Sequence, residues 1–253
     1  MSTPVRALLP GLLPNLRDCG GLGTEDGRRL RPRVLLRSAA LVGLSPAALA
    51  GFTEAVRPGV YVDLRTDAEI ARDGEPRGLL EAGWRWHRVP VDDGTAGLEP
   101  GPEAGRRTLE ALPRFLAAAD QVAGSLGPRP VLVGCAVGKD RTGLVTAIVL
   151  RWLGIRRAEI LDDFTLSDGC LSAGRALLPP RWRDPGHVLA PTDPAVCAAV
   201  LDRLPDRAVF PGPAAFARPL TFLTPRPEDS GASADAPVAA AARRFREACD
   251  ANS

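Results

Sequence analysis

The chain has 253 residues, of which 45% are hydrophobic, and its formal net charge is only +2. This length predicts one sizeable hydrophobic core. Because the positive and negative charges nearly balance, the composition gives no argument for nucleic acid or a membrane as the main partner. No apolar stretch approaches the ~20 residues of a membrane span, and Pro10 and Pro14 interrupt the apolar start that a signal peptide would need. We therefore expect a cytoplasmic protein without stable membrane insertion.

Short strands and helices alternate after a glycine-rich opening at residues 1–33. The strands are predicted from apolar and alternating runs, and the helices from caps and periodicity. In chain order we predict a strand at 34–37, a helix from Ser45-Pro46 to 56, a strand at 60–64, a short helix from Asp67 to Gly74, a strand at 86–91, a helix at 104–126 interrupted near Pro113, a buried strand at 131–133 and an apolar helix at 142–153.

The last part of the chain differs in character. More helix with loops is predicted at 156–204, which completes a domain spanning 1–204. From Pro205 onward, repeated prolines predict a Pro-rich, partly disordered segment at 205–253, with residues 224–237 disordered and a terminal helix at 238–249. Strands that alternate with helices predict an α/β layer fold for the domain.

The loop between the strand 131–133 and the next helix has the features of an anion site. Free backbone N–H groups point outward at a helix N-terminus, and the helix dipole is positive there. Gly138 and Gly143 allow the backbone to curl so that successive N–H groups converge. A cysteine at the mouth of such a site, Cys135, should be ionised at neutral pH and act as a nucleophile. Arg141, six positions later, has a planar fork that suits two phosphoryl oxygens.

Other nucleotide, metal and cofactor chemistries fit this sequence poorly. The stretch from Gly134 to Lys139 is not a nucleotide P-loop, because three residues instead of four separate its glycines and Asp140 follows the lysine. The five cysteines match no metal-binding spacing. We therefore predict no metal and no organic cofactor. Lys139 is the single lysine among 32 lysine and arginine residues, and it lies inside the loop.

Four ordered stretches resemble one family. Residues 133–143, Val-Gly-Cys-Ala-Val-Gly-Lys-Asp-Arg-Thr-Gly, resemble the Cys-x5-Arg signature of protein-tyrosine phosphatases, in the form found in the bacterial tyrosine phosphatase B type. Asn-Leu-Arg-Asp-Cys-Gly-Gly at 15–21, Arg-Ser-Ala-Ala-Leu at 37–41 and Val-Asp-Leu-Arg-Thr-Asp-Ala-Glu at 62–69 resemble further motifs of that family, in the same order. The resemblance covers roughly residues 12–172.

The resemblance implies both a fold and an activity. The fold would be an α/β protein-tyrosine-phosphatase-like central sheet of four or five mostly parallel strands flanked by helices, with the Cys-x5-Arg loop between a central strand and a helix. The activity would be that of a phosphoric monoester hydrolase acting on phosphotyrosine through a phosphocysteine. Members of the type also act on phosphoserine, phosphothreonine or phosphoinositides, so the implied partner is a phosphorylated protein or a phosphoinositide, with no nucleic acid.

The resemblance also implies roles for individual residues. Cys135 would attack phosphorus, Arg141 would hold the oxygens, and Thr142 would hydrogen-bond the sulfur. An aspartate outside the signature would be the general acid, and either Asp92 or Asp93, which follow a predicted strand, could fill this role. The remaining loop residues would bind phosphate or substrate: Ala136, Val137, Gly138, Lys139 and Asp140. The charge of Lys139 would suit doubly phosphorylated or lipid-headgroup substrates.

Gly134 departs from the family pattern, which has histidine directly before the cysteine. Glycine loses the hydrogen bonds of that histidine and loosens the backbone. This favours an alternative function, that of a catalytically weakened pseudophosphatase that binds phosphorylated partners. A second alternative, a sulfurtransferase with a similar cysteine loop, is disfavoured by Arg141 and Thr142 before an apolar helix.

Overall fold

A single five-stranded sheet forms the centre of the molecule. The structure, a computed structural model, describes residues 13–95, 101–178, 180–183, 189–204 and 222–225. The strand order is β1-β2-β5-β3-β4; β1 runs antiparallel to β2, and the other neighbours are parallel. The strands are β1 (Arg17–Asp18), β2 (Leu35–Ser38), β3 (Val60–Asp63), β4 (Arg85–Arg88) and β5 (Val131–Gly134). The expected α/β fold with a mostly parallel sheet is confirmed.

Helices cover the sheet and end near the predicted positions. The described helices are α1 (Pro46–Ala55), α2 (Asp67–Asp73), α3 (Arg77–Glu81), α4 (Pro102–Glu110), α5 (Leu112–Ser125), α6 (Asp140–Trp152), α7 (Arg157–Gly174), α8 (Pro180–Arg183) and α9 (Pro194–Asp202). The helix predicted at 104–126 is divided into α4 and α5. Pro113 lies in the first turn of α5, where its missing N–H leaves no intrahelical hydrogen bond unmade.

Alternate residues of the strands face two separate apolar layers. On one face, Val62 and Val133 pack with residues of α5 and α6. On the other face, Tyr61 and Leu132 pack with α1 and with the stretch around α3. Since both faces of the central strand β5 are covered by apolar side chains, its residues Val131–Val133 form a continuous apolar run, as strands of buried parallel sheets do.

A short piece of the C-terminal segment packs against the domain. Leu223 is 1% exposed and forms a β-bridge with Leu30, and the N–H of Thr224 donates to the carbonyl of Arg29 at 2.8 Å. Thr224 falls in the stretch that the sequence analysis predicted to be disordered, but its backbone continues an ordered ladder. The rest of 205–253, including the helix predicted at 238–249, lies outside the described residues, and the boundary at 204 stays a prediction.

The parallel strands bring their following residues to one edge of the sheet. Strands β2, β3, β4 and β5 all end there, and this carboxyl edge is where ligands bind in open α/β sheets. Within the described residues, the longest apolar helical stretches fall short of what crossing a bilayer would take.

Candidate active site

The loop from Cys135 to Lys139 connects the central strand β5 to the N-terminus of α6. Cys135 follows β5 directly, and Arg141 is the second residue of α6. Gly138 has a φ of +71°, and a Cβ there would lie 2.3 Å from the carbonyl oxygen of Ser38. Only glycine fits this position, because any side chain would require both a strained backbone and the displacement of a neighbouring strand end.

Two buried side chains hold the carbonyl groups on the outer side of the loop. The Nδ2 of Asn15 donates to the carbonyl of Val137 at 3.1 Å, and the Nη2 of Arg37 donates to the carbonyls of Gly138 and Lys139 at 3.0 and 3.1 Å. Because the C=O and N–H of a peptide unit point in opposite directions, this arrangement turns the following N–H groups toward the inner side, which forms an anion-binding concavity.

Arg37 is itself fixed by a buried charge network. Asp163 on α7 binds Arg37 through Oδ2 at 2.8 Å and Arg17 through Oδ1 at 3.3 Å, and Ser167 also accepts from Arg17. All three charged side chains are at most 1% exposed. Sequence reasoning missed Asp163, although it shares the helical spacing of the buried residues Ile160 and Ser167. A carboxylate on a buried helix face needs a cationic partner.

Arg141 is bound at one end of its fork by Glu69. Its Nη1 and Nη2 donate to the two carboxylate oxygens at 2.7 and 2.6 Å, and Nη1 also donates to the carbonyl of Val91 at 3.3 Å. Glu69 is held in place because it closes a capping box with Thr66 at the start of α2. The sequence analysis quoted Glu69 only as part of a motif, without a role.

These contacts leave one edge of the Arg141 fork for a ligand. A guanidinium has five N–H donors. Glu69 and Val91 occupy both donors of Nη1 and one of Nη2. The donors that remain within the described structure, on Nε and Nη2, lie side by side along one edge, where they can hold two oxygens of one phosphoryl group.

Ion pairing fixes the charges of Arg141 and Glu69. Burial alone would raise the pKa of Glu69, but hydrogen bonds and charge from Arg141 outweigh it and lower the pKa from 4.5 to about 2. Burial likewise acts to lower the pKa of Arg141, but Glu69, Cys135 and Asp93 together raise it above its ordinary value.

The two aspartates predicted after β4 differ in position. Asp93 is 18% exposed in its side chain, lines a cleft of about 380 Å³ beside the loop, and has its Oδ2 3.9 Å from the Nε of Arg141. Its other oxygen accepts hydrogen bonds from the N–H and hydroxyl of Thr95. Asp92 is exposed, and its carboxylate accepts only from the N–H of Gly94 among the hydrogen bonds of the described residues. The geometry therefore favours Asp93 over Asp92.

Cys135 and Thr142 are both buried near the start of α6, and neither is among the described residues that line the cleft. Cys135 is 2% exposed and Thr142 is fully buried in the first turn of α6. The hydroxyl of Thr142 has no hydrogen-bond partner within the described part of the chain. A buried hydroxyl without a partner carries a desolvation cost, which a ligand or a charged sulfur could offset.

Tyr61 occupies the space beside Gly134. A Cβ at position 134 would lie 2.8 Å from the hydroxyl oxygen of Tyr61, which comes from the neighbouring strand β3. Tyr61 is completely buried, and burial, followed by the charge of Asp63, raises its pKa well above the ordinary value of 10.0. The backbone of Leu41 faces its hydroxyl, but no well-formed hydrogen bond results within the described residues. The glycine thus has a steric reason that the sequence analysis did not consider.

Lys139 and Asp140 lie at the mouth of the cleft. Asp140 is exposed, whereas Lys139 is 7% exposed in its side chain and donates from Nζ to the carbonyl of Ala190 at 2.6 Å. Loop residues Val137, Lys139 and Asp140 line the cleft together with Asp93. In the described part of the chain, no three histidine, cysteine or carboxylate side chains gather as a metal site would need.

Comparisons with known proteins point to phosphatases. A model described as "Tyrosine phosphatase family" matches residues 10–204. The triple specificity protein phosphatase PtpB of Mycobacterium tuberculosis is 31% identical over 206 residues, which cover 66% of this chain and 71% of PtpB. Among solved structures, the catalytic core of the PP-IP phosphatase SIW14 of S. cerevisiae has a TM-score of 0.39 and 14% identity, over 79% of this chain and 90% of that chain. P. aeruginosa TpbA has a TM-score of 0.37 and 16% identity, over 75% and 92%. Such low scores carry no argument, whereas the family match covers most of the chain.

Proposed function

Since the chain belongs to the tyrosine phosphatase family, we propose that it hydrolyses phosphotyrosine through a phosphocysteine formed at Cys135. The sulfur of Cys135 attacks phosphorus, and the S–P bond forms while the bond from phosphorus to the ester oxygen breaks. The inward N–H groups of the loop and the open edge of Arg141 bind the three non-bridging oxygens. Phosphoryl transfer needs mostly such positioning and charge stabilisation.

Asp93 is the proposed general acid. It donates its proton to the leaving oxygen, so that tyrosine departs with a neutral hydroxyl. Water then attacks the phosphocysteine and gives a proton back to Asp93, the S–P bond breaks, and inorganic phosphate leaves. The unpartnered hydroxyl of Thr142 can donate to the sulfur in this second step, which stabilises the thiolate as a leaving group.

The single observation that carries this proposal is the open edge of Arg141. Its two remaining donors belong to a residue in the first turn of the helix that follows the Cys135 loop, and its Nε lies 3.9 Å from the Oδ2 of Asp93. Purified protein and Cys135→Ser, assayed with p-nitrophenyl phosphate, test the proposal. We expect phosphate release by the first protein and none above background by the second. Equal rates would refute cysteine-dependent hydrolysis.

A second candidate function is that of a pseudophosphatase that binds phosphorylated partners. Two observations favour it: Gly134 stands before the cysteine, and Cys135 is only 2% exposed. Under this alternative, Cys135→Ser binds a phosphotyrosine peptide as tightly as the unaltered protein does, and neither protein releases phosphate. The same assay, combined with a binding titration, separates the two functions.

A further inference from the structure

The charge of Lys139 is already engaged within the protein. Its Nζ donates to the carbonyl of Ala190 at 2.6 Å and lies 3.4 Å from the carboxylate of Asp140, and its side chain is 7% exposed. An ammonium has three donors, and these two contacts direct the charge of Lys139 toward the Ala190 carbonyl and the Asp140 carboxylate.

The segment 189–193, called here the cleft wall, is attached to the body at two places. Lys139 binds it at Ala190. Asp168 on α7 accepts from the N–H of Thr192 at 2.9 Å and from its hydroxyl at 2.8 Å. The first of these attachments joins the cleft wall directly to the phosphate loop. Lys139 therefore couples the position of the wall to the conformation of the loop.

The described surface of the cleft is suited to an apolar group and unsuited to a second anion. Apolar side chains from several elements form much of it, and the charged side chains other than Lys139 are all carboxylates. The apolar members are Val137, Leu144, Phe164, Trp182, Leu189 and Val196, and the carboxylates are Asp93, Asp140 and Asp193. A further phosphate on the substrate would meet the carboxylates of Asp140 and Asp193, which disfavours it by like-charge repulsion, whereas Asp93 is neutral while it serves as the general acid.

We propose that Lys139 is a positioning residue that braces the cleft wall, and that the cleft selects singly phosphorylated aryl esters over inositol lipids with several phosphates. The proposal rests on the phosphatase function proposed above and specifies its substrate class. It differs from the expectation that the lysine in this loop binds a second phosphate, because the side chain is 7% exposed and its shortest described contact is the carbonyl of Ala190.

Hydrogen–deuterium exchange tests the brace without any assay of activity. Lys139→Met should speed exchange of the amides in the cleft wall. Arg151→Met is the matched control, since Arg151 is an exposed cation in the last turn of the same helix and the charge change is identical. This control should leave the wall unchanged. Unchanged exchange in Lys139→Met would refute the brace.

Kinetics and binding test the selectivity. The unaltered protein should prefer a phosphotyrosine peptide over a short-chain phosphatidylinositol bisphosphate by at least about tenfold in kcat/KM, because of the carboxylates in the cleft. Lys139→Met should lower kcat/KM for both substrates by a similar factor. A selective loss of inositide hydrolysis, with the peptide rate retained, would assign the lysine to a second phosphate and overturn the proposal.

The selectivity proposal can be tested even if the proposed phosphatase function fails. If no substrate releases phosphate, the proposed function is refuted, and the binding of the same two ligands to Cys135→Ser decides the selectivity. Tighter binding of the peptide is the expected result. Equal or tighter binding of the bisphosphate would contradict the proposal even in that case.

Discussion

Asp92 and Asp93 are adjacent on one turn, yet only Asp93 faces the cleft and approaches Arg141. We predict that Asp93→Asn lowers kcat for a phosphotyrosine peptide by about 10²–10⁴-fold, the usual contribution of a general acid. The loss should be much smaller with p-nitrophenyl phosphate, whose leaving group needs little protonation. Asp92→Asn, a change at an exposed side chain, should stay within about twofold. Equal losses in the two variants would contradict the assignment.

Glu69 is predicted to position Arg141 rather than to contact substrate. Glu69→Gln keeps the side-chain shape but removes the charge that orients the fork, so we expect kcat/KM to fall by up to about 10²-fold, as misplacement of a binding group can cause. The loss should be in kcat and KM together, because Arg141 binds the phosphoryl group in the ground state and binds it more strongly in the transition state.

The same variant has a pH signature in stability. The pKa of Glu69 is about 2 in the folded protein against 4.5 ordinarily, and such a shift corresponds to about 3 kcal/mol of unfolding free energy. A carboxyl group whose pKa is lowered by folding stabilises the folded protein fully at pH values above its pKa in the unfolded chain. This stabilisation is lost as the pH falls toward 2. Urea unfolding should therefore separate the protein from Glu69→Gln at pH 6–7, and the gap should shrink below about pH 4.5. A gap that stays constant down to pH 3 would contradict the pairing.

At the scale of elements, the side chain of Tyr61 on β3 packs directly against the backbone of Gly134 on the neighbouring strand β5. Gly134 leaves room for the hydroxyl of Tyr61, which a Cβ would approach to 2.8 Å. Gly134→Ala should destabilise the fold by about 1–3 kcal/mol through overpacking. Gly134→Ala combined with Tyr61→Phe should recover only part of that loss in urea unfolding, since the oxygen is gone but the ring carbon Cε2 still lies 2.9 Å from the Cβ position. Additive losses would show that the two positions are independent.

The element that carries the chemistry could be predicted because its signals are local. Strand β5, the loop and α6 are consecutive, and their glycines, apolar run and helix start are readable side by side. Gly134 was interpreted as a loss of hydrogen bonds, because its neighbour Tyr61 is distant in sequence. Asp163 and Glu69 were missed as functional residues for the same reason: their partners Arg37 and Arg141 come from other elements.

Short elements were beyond what periodicity can detect. Strand β1 has only the residues Arg17–Asp18, which do not alternate, and its pairing with β2 depends on the buried network around Arg17. Helix α3 spans Arg77–Glu81, too few residues to show a repeat. The sequence analysis predicts no element at either position, since tertiary packing rather than local propensity forms them.

At the scale of the whole molecule, residues 222–225 connect the C-terminal segment to the core. Leu223→Ala should lower the free energy of unfolding by about 2–5 kcal/mol, as truncation of a buried leucine does. Leu80→Ala is the matched control, because Leu80 is 37% exposed, and it should cost about 1 kcal/mol or less. Urea denaturation measures both. Equal effects would show that the segment contributes nothing to the core.

Composition indicated where the Pro-rich segment begins, but not which of its residues pack against the domain. The prolines and small residues after Leu204 predict a segment distinct from the α/β elements, and this boundary stays a prediction. Phe222 and Thr224 nevertheless pair with Arg31 and Arg29 through backbone hydrogen bonds that no side-chain pattern encodes.

The covalent intermediate is the central claim of the mechanism. Rapid acid quenching during turnover of a phosphotyrosine peptide, followed by peptide mass spectrometry, tests it directly. In the unaltered protein we predict one added phosphoryl group on the peptide that contains Cys135. More of this phosphopeptide accumulates in Asp93→Asn if the substitution slows hydrolysis of the intermediate more than its formation. None is expected in Cys135→Ser. Phosphate release without any phosphorylated cysteine, or with full activity in Cys135→Ser, would contradict the account.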